Sequence, residues 1–246
     1  MFYFLLAPIM MYNGILIAAA IIPAVFLMIK VYRLDRLEKE SHSLLINLVI
    51  AGVLSSLLAL IEERILSTVL SAAVGADSPY YNIILYFGIV ACAEESSKYI
   101  FLEKKTWTNP EFNCLYDGVV YAVFVSLGFA LWENISYVMM YGFSTAIVRA
   151  LTAIPGHACF GVFMGVFYGI AKRYDYKGES ALSTLFRGDC IIIPILLHGS
   201  YDYIASMEAE GSGLNFLVFI AVLFVITYLL LGKFAKNDRY IDSDVI

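Results

Sequence analysis

Acidic, basic and imidazole side chains recur inside four successive apolar stretches of this sequence. These stretches contain the segments CAEESSKYI, FALWENISY, PGHACFG and LLHGSYDY. The candidate catalytic residues in them are Glu94, Glu95, Lys98, Glu133, His157, His198 and Asp202. Carboxylates and imidazoles can activate water, transfer protons and bind divalent metal ions. The conjunction of these residue types therefore indicates a chemical or ion-handling site.

The first segment has a spacing that predicts an ion cluster on one helix. Lys98 follows Glu94 by four residues and Glu95 by three, so its ammonium can pair with either carboxylate from the next turn. We expect one glutamate to be partly neutralised by the lysine, and the other to keep the reactivity of a free carboxylate. A purely structural ion pair that locks two helices would have the same spacing.

Both histidines among the candidates have neighbours at helical spacing. Asp202 follows His198 by four residues, so the carboxylate can orient the imidazole. His157 heads a row of glycines at intervals of four, a pattern typical of closely packed transmembrane helices. We therefore expect His157 to face another helix rather than lipid. A histidine of either kind could also be a packing residue, and Glu133 with Asn134 could simply join two helices.

The composition is that of an integral membrane protein. Of 246 residues, 61% are hydrophobic and 15% are charged, whereas soluble domains have about 25% charged residues. A transmembrane helix needs about 20 apolar residues. Seven stretches qualify, at about 2 to 28, 44 to 61, 80 to 102, 115 to 140, 146 to 171, 183 to 207 and 214 to 233. The segment near 65–76 is apolar but too short to span, and predicts an extra interfacial or re-entrant helix.

The basic residues predict the orientation of the chain. With seven spans, thirteen of the sixteen Lys and Arg residues lie on one side, which marks the cytoplasm. The exceptions are Arg64, Lys98 and Arg149, and we interpret Arg149 as an interfacial anchor. The sequence thus predicts an all-α, polytopic helical bundle with an outside N-terminus and a cytoplasmic C-terminus. We divide it into one transmembrane domain at 1–236, with a catalytic core at about 80–207, and a polar cytoplasmic tail at 237–246.

Other classes of protein are disfavoured by the same composition. The net charge of −5 and the absence of a basic patch argue against a nucleic-acid partner. The four cysteines have no short-spaced pair, so we expect neither a disulfide nor a zinc knuckle. The expected surroundings are a lipid bilayer, in the plasma membrane of a bacterium.

The motifs together resemble those of the PrsW family of bacterial intramembrane proteases, which are distant relatives of the CAAX-processing and bacteriocin-immunity membrane peptidases. The matching patterns are EExxK at Glu94, FxxxE ending at Glu133, HxxxG at His157 and HxxxD at His198. They span about residues 90 to 205 in separate helices. The relatives that process CAAX proteins typically have a histidine where this chain has Glu133, which favours PrsW.

This resemblance implies a glutamic-type peptidase. Its substrate would be a single-pass membrane protein cut near the extracytoplasmic surface, as in site-1 cleavage of an anti-sigma factor. In this hypothesis Glu94 is the general base, while Glu95 and Lys98 tune it. Glu133 would hold the water or share a proton with Glu94.

The two histidines complete the predicted mechanism. His157, and His198 oriented by Asp202, would donate to the oxyanion or the leaving group. We expect no resident cofactor, although two carboxylates and two histidines would equally suit zinc or a similar divalent ion.

Two alternative functions remain open from the residues alone. Carboxylate and histidine chains also form proton relays, so a proton- or ion-coupled transporter is possible. A non-catalytic scaffold or immunity factor could retain the same fold. Cleavage of a single-pass protein that stops when Glu94 is changed to Gln would separate the peptidase from both alternatives.

Overall fold

The computed structural model describes residues 2–209 and 211–242, with side chains described from residue 11 onward. The described chain forms nine α-helices and one π-helical segment. They are α1 (Phe2–Leu34), α2 (His42–Ala73), α3 (Tyr81–Ile83), the π segment (Ile84–Val90), α4 (Ala91–Thr106), α5 (Asp117–Tyr141), α6 (Phe143–Leu151), α7 (Ala153–Tyr176), α8 (Ser180–Ala205) and α9 (Ser212–Lys236). No strand occurs among the described residues, which agrees with the predicted all-α class.

The helices are those of a polytopic membrane protein. Within the described residues, six stretches are long and apolar enough to cross a membrane: Met11–Leu34, His42–Ala73, Asp117–Tyr141, Phe143–Tyr176, Ser180–Ala205 and Ser212–Lys236. The remaining predicted stretch, 80–102, is also helical but is not among the six, because its α4 portion carries the charged segment CAEESSKYI. α4 packs against α2, α5 and α8, and its charged residues Glu94, Glu95 and Lys98 are buried among these helices.

The separate interfacial or re-entrant helix predicted near residues 65–76 is wrong. α2 continues without a break to Ala73 and ends before Gly75, whose φ of +79° suits glycine. The charged residues that suggested a break are accommodated within the helix. Glu62 accepts a hydrogen bond from Ser97 Oγ at 3.3 Å, and Glu63 faces an internal cavity. Because these carboxylates face polar surroundings, the helix needs no turn there.

α5 is the central helix, and glycines let its neighbours approach it closely. All side chains from Asp117 to Ala130 are buried. A Cβ atom on Gly165 of α7 would lie 2.4 Å from Val119 Cα, and one on Gly128 would lie 2.4 Å from the Val49 carbonyl oxygen of α2. The predicted glycine face on the His157 helix therefore packs against α5, as expected.

The end of the bundle near the α1–α2 loop is closed by acidic side chains and by the chain after α9. Tyr121 Oη donates to Glu40 Oε2 at 2.7 Å, and burial raises the pKa of Glu40 to about 7. The backbone NH of Ile241 donates to the Asn113 carbonyl at 2.7 Å, so the first part of the predicted polar tail is paired. Residues 243–246 of that tail lie outside the described part. The four cysteines are all free, which agrees with the expected absence of disulfides.

Candidate active site

A cavity of about 390 Å³ lies where several helices converge. Its wall includes side chains from α2, the π segment and α4 to α8. The ionisable residues that line it are Glu63, Glu94, Glu133, Arg149, His157, His198 and Asp202. Five of these were predicted as site residues from the sequence. Glu95 and Lys98 lie directly behind this wall, fully buried.

Lys98 is the centre of the ion cluster. Its Nζ lies 3.1 Å from Glu94 Oε2 and 2.8 Å from Glu95 Oε1, which confirms the contacts predicted from helical spacing. The same Nζ lies 3.2 Å from His157 Nδ1 and 4.0 Å from the centroid of the Phe129 ring. Lys98 has no exposed surface, so its charge is balanced only by these protein groups.

The two adjacent glutamates differ in their access to the cavity. Glu94 lines it, whereas Glu95 has no exposed surface and its Oε2 has no hydrogen-bond partner. Successive residues on a helix point about 100° apart, which is why only one of the two can face the cavity. Water in the cavity can therefore reach the carboxylate of Glu94, while Glu95 acts only on its protein neighbours.

His198 is held mainly by Glu95 rather than by Asp202. Its Nδ1 lies 2.8 Å from Glu95 Oε1 and 3.8 Å from Glu94 Oε2. Its Nε2 lies 3.4 Å from Asp202 Oδ2, a looser contact than the predicted orienting bond. The ring also stacks on Phe160, with centroids 4.8 Å apart. These contacts orient the Nε2 side of the ring toward Asp202 at the cavity wall.

His157 is held by two charged partners. Its Nε2 lies 2.8 Å from Glu133 Oε2, and its Nδ1 faces the ammonium of Lys98. Because an ammonium can only donate, Nδ1 accepts a hydrogen bond and Nε2 carries the proton that is donated to Glu133. Both ring nitrogens are therefore engaged. Glu133 contacts His157 directly, and it lines the same cavity as Glu94.

The structure adds two residues that sequence reasoning did not assign to the site. Arg149 Nη2 lies 2.9 Å from Glu133 Oε2, and Arg149 Nε donates to Asn134 Oδ1 at 2.9 Å. Arg149, interpreted from the sequence as an interfacial anchor, therefore also pairs with a residue of the cluster. Glu63 of α2 lines the same cavity as Glu133. A signal existed for Arg149, since it is one of three basic residues that depart from the predicted charge asymmetry.

Four of the clustered side chains form a donor set that suits a metal ion. One ligand atom from each of Glu94, Glu95, His157 and His198 lies within 4.8 Å of the others, and all four residues are buried. Two imidazoles and a carboxylate are a common ligand set of catalytic zinc. The Lys98 ammonium contacts three of the same four side chains, so one positive charge already lies beside this donor set.

Comparisons with known proteins show the family of the chain. The family profile described as "PrsW family intramembrane metalloprotease" matches residues 40–231. The chain is 35% identical to "Protease PrsW" of Geobacillus kaustophilus (strain HTA426) over 189 residues, covering 77% of this chain and 79% of the relative. It is 33% identical to "Protease PrsW" of Bacillus subtilis (strain 168) over 189 residues, covering 77% of this chain and 82% of the relative.

A third relative aligns with nearly the whole chain. It is "Protease PrsW" of Shouchella clausii (strain KSM-K16), 30% identical over 231 residues, which cover 92% of this chain and 98% of the relative. No solved structure matches the chain. The family profile covers more than half of the chain and includes every residue of the cluster around Lys98. The chain is therefore a multi-pass protein of the bacterial cell membrane and belongs to the PrsW family of intramembrane proteases.

Proposed function

We propose that this protease hydrolyses a peptide bond of a single-pass membrane protein with a water molecule activated by Glu94. The observation that supports this role is the position of Glu94. Of the two adjacent glutamates, it is the one that faces the cavity, and Lys98 and His198 lie beside it. Peptide hydrolysis needs a base in contact with water and an acid for the departing amine.

Glu94 would remove a proton from water as the water oxygen attacks the substrate carbonyl carbon. The carbonyl oxygen then carries the negative charge, and cationic donors at the cavity wall can stabilise it. His198 suits this role, because Glu95 holds its Nδ1 and its Nε2 remains on the cavity side with Asp202. When the carbon–nitrogen bond breaks, the proton taken by Glu94 or one from His198 passes to the departing amine.

The remaining members of the cluster would position these two. Lys98 and Glu95 fix Glu94 and His198 through contacts of 2.8–3.1 Å. Glu133, itself paired with Arg149, holds the ring of His157. His157 keeps the ammonium of Lys98 in place and thereby supports the charge balance around Glu94.

A divalent ion is compatible with the same residues. Glu94, Glu95, His157 and His198 would hold it, and it would supply Lewis acidity toward the carbonyl oxygen and lower the pKa of water. The family description as metalloproteases supports this possibility. Our primary proposal remains the glutamate base, because the Lys98 ammonium already pairs with Glu94 and Glu95 and compensates part of their charge.

The substrate is proposed to be cut near the extracytoplasmic face. Glu94 and His157 lie near the starts of α4 and α7, whereas Lys104 and Lys172 lie near the other ends of the same two helices. Basic residues mark the cytoplasmic side. The substrate we propose is a single-pass anti-sigma factor that is cut near this face.

The test is cleavage in proteoliposomes that contain the purified protein and a candidate single-pass anti-sigma factor. Glu94→Gln should reduce cleavage by about 100-fold or more, as expected for loss of a general base. Glu103→Gln, on the same helix but outside the cavity, is the matched control and should cleave normally. Full activity of Glu94→Gln would refute the proposed base.

The role of metal is tested on the same preparations. Elemental analysis of the purified protein and of a His157→Ala, His198→Ala variant should show equal, near-zero metal content if the glutamate base acts alone. One equivalent of a divalent metal in the original protein, lost from the variant, would instead favour the metal-dependent reaction. Proton flux without any cleavage would favour the transporter alternative.

A further inference from the structure

The seam between α2 and α5 differs from the other helix seams around the active-site cavity. The two helices touch through their backbones at Gly52 and Gly128, where an added Cβ on Gly52 would lie 2.1 Å from the Val125 carbonyl oxygen. Beyond this crossing, both helices continue along the cavity. The cavity is lined by Ser56, Leu60 and Glu63 of α2 and by Trp132 and Ser136 of α5.

Several other seams around the cavity are joined by direct side-chain contacts. α2 meets α4 through Glu62 and Ser97, and α4 meets α8 through Glu95 and His198. The π segment is sealed against α8, since a Cβ on Gly199 would lie 2.5 Å from the ring of Phe87. α5 meets α7 through Glu133 and His157, and it meets α6 through Asn134 and Arg149. α5 is also tied to α1, because Asn134 donates to the Ala20 carbonyl at 2.8 Å.

Beyond the glycine crossing, the α2–α5 seam is exposed. Leu60 is 58% exposed and Trp132 is 42% exposed, although both line the cavity that contains Glu94. Leu60 lies eight residues beyond Gly52 and Trp132 lies four beyond Gly128, which corresponds to about 12 Å and about 6 Å along the two helices. The backbone contact at the glycines closes this seam at one end. Leu60 and Trp132 therefore border both the exposed flank of the bundle and the active-site cavity.

We propose that the opening between Leu60 of α2 and Trp132 of α5 is the lateral portal through which a membrane-spanning substrate helix enters the site. This inference rests on the proposed function, and it adds the route and the conformation of the substrate. The helix docks against the apolar side chains at the flank, and its outer end unwinds into the cavity. A peptide bond cannot be attacked while its backbone is enclosed in a regular helix, so the segment at Glu94 is extended.

The chemistry of the cavity favours a peptide over a lipid chain as the occupant. An unwound segment loses its internal hydrogen bonds, and unsatisfied backbone groups cost several kcal/mol each in a bilayer. Glu63, Arg149 and the hydroxyl of Tyr137 lie at the inner side of the portal and can bond to such groups. An acyl chain offers no hydrogen-bonding group to these side chains. The apolar flank and polar interior together match a helix that unwinds at one point.

Photocross-linking tests the portal independently of the chemical step. A benzophenone side chain replaces Leu60 or Trp132 in the Glu94→Gln protein, and matched proteins carry it at Val222 or Leu229, which face outward from α9. The probe is a synthetic peptide of about 20 Leu and Ala residues with Lys ends, interrupted near its outer end by Gly-Pro. In proteoliposomes, adducts at Leu60 and Trp132 should exceed those at the α9 positions at least fivefold.

A tether across the opening provides a second measurement. Cysteines replace Leu60 and Trp132 in a protein whose four native cysteines are Ala, and a reducible bifunctional thiol reagent joins them. Cleavage of the membrane-embedded substrate should fall at least tenfold and recover on reduction. The same reagent across Val218→Cys and Val222→Cys on α9 should leave cleavage unchanged.

The results separate this inference from the proposed function. The portal proposal would be overturned by equal adducts at all four positions, by adducts to lipid alone or by the absence of peptide adducts. Substrate cleavage that is unchanged in the tethered protein would also overturn it. Adducts confined to Leu60 and Trp132 in a protein that never cleaves any substrate would support the portal and count against the peptidase reaction.

Discussion

Replacing Lys98 with methionine should strongly destabilise the protein. Lys98 is fully buried, and it balances Glu94 and Glu95, whose side chains are 8% and 0% exposed. Methionine preserves much of the side-chain length but leaves two buried carboxylates without their cation. Removing one partner of a buried ion pair costs about 3–5 kcal/mol. The expected loss in the free energy of unfolding is therefore about 3–5 kcal/mol.

A double variant distinguishes loss of charge balance from loss of packing. Glu95→Gln removes the charge of one of the two carboxylates that Lys98 contacts, so Lys98→Met should cost less in that background. Residues in direct contact within one ionic network show coupling energies of about 0.5–3 kcal/mol. Lys98 Nζ lies 2.8 Å from Glu95 and 3.1 Å from Glu94, so we expect a coupling energy of about 1–3 kcal/mol between Lys98 and Glu95.

The assay is thermal unfolding in detergent, followed with a fluorophore that reacts with thiols. It suits this protein because Cys114, Cys159 and Cys190 are buried and become reactive only on unfolding. A shift of about 2–4 °C per kcal/mol converts the expected loss into a fall in Tm of about 6–20 °C. Lys104→Met, an exposed change on the same helix, is the control and should shift Tm by less than about 2 °C. A Lys98→Met protein as stable as the control, or strictly additive effects in the double variant, would refute the reasoning.

Three further predictions concern packing, pH dependence and orientation. Gly165→Ala should lower the free energy of unfolding by about 1–3 kcal/mol, because the added Cβ would lie 2.4 Å from the backbone of α5. Gly188→Ala is the control and should not lower Tm, because a Cβ there would have no atom within 4 Å. Burial raises the pKa of Glu40 from 4.5 to about 7, so this residue makes the folded state lose stability as pH rises through that range. Glu40→Gln should therefore stabilise the protein more at pH 8 than at pH 5, and the difference in the free energy of unfolding should reach up to about 3 kcal/mol. Equal changes in Tm at the two pH values would contradict this. Cysteines at Lys177 and Glu208 should label from the cytoplasmic and extracytoplasmic sides respectively, and labelling from one common side would show that the orientation is wrong.

Several features of the site follow from the sequence alone. The contacts of Lys98 with Glu94 and Glu95 were predicted correctly, because residues three and four apart on one helix are always neighbours. The glycine face beyond His157 was also predicted correctly, since close helix packing needs small residues at that spacing. The roles of these residues in catalysis stay predictions.

Tertiary structure decided which groups on different helices meet. The sequence paired His198 with Asp202, but Glu95 of another helix is its closer partner, and Glu133 meets Arg149 and His157 rather than Glu94. Helical periodicity determines which side chains share a face, and it contains no information about the rotation of one helix relative to the next. That rotation is determined here by backbone contacts at glycines such as Gly128 and by the balance of buried charge. For the same reason, only the packed bundle shows that Glu94 faces the cavity and Glu95 does not.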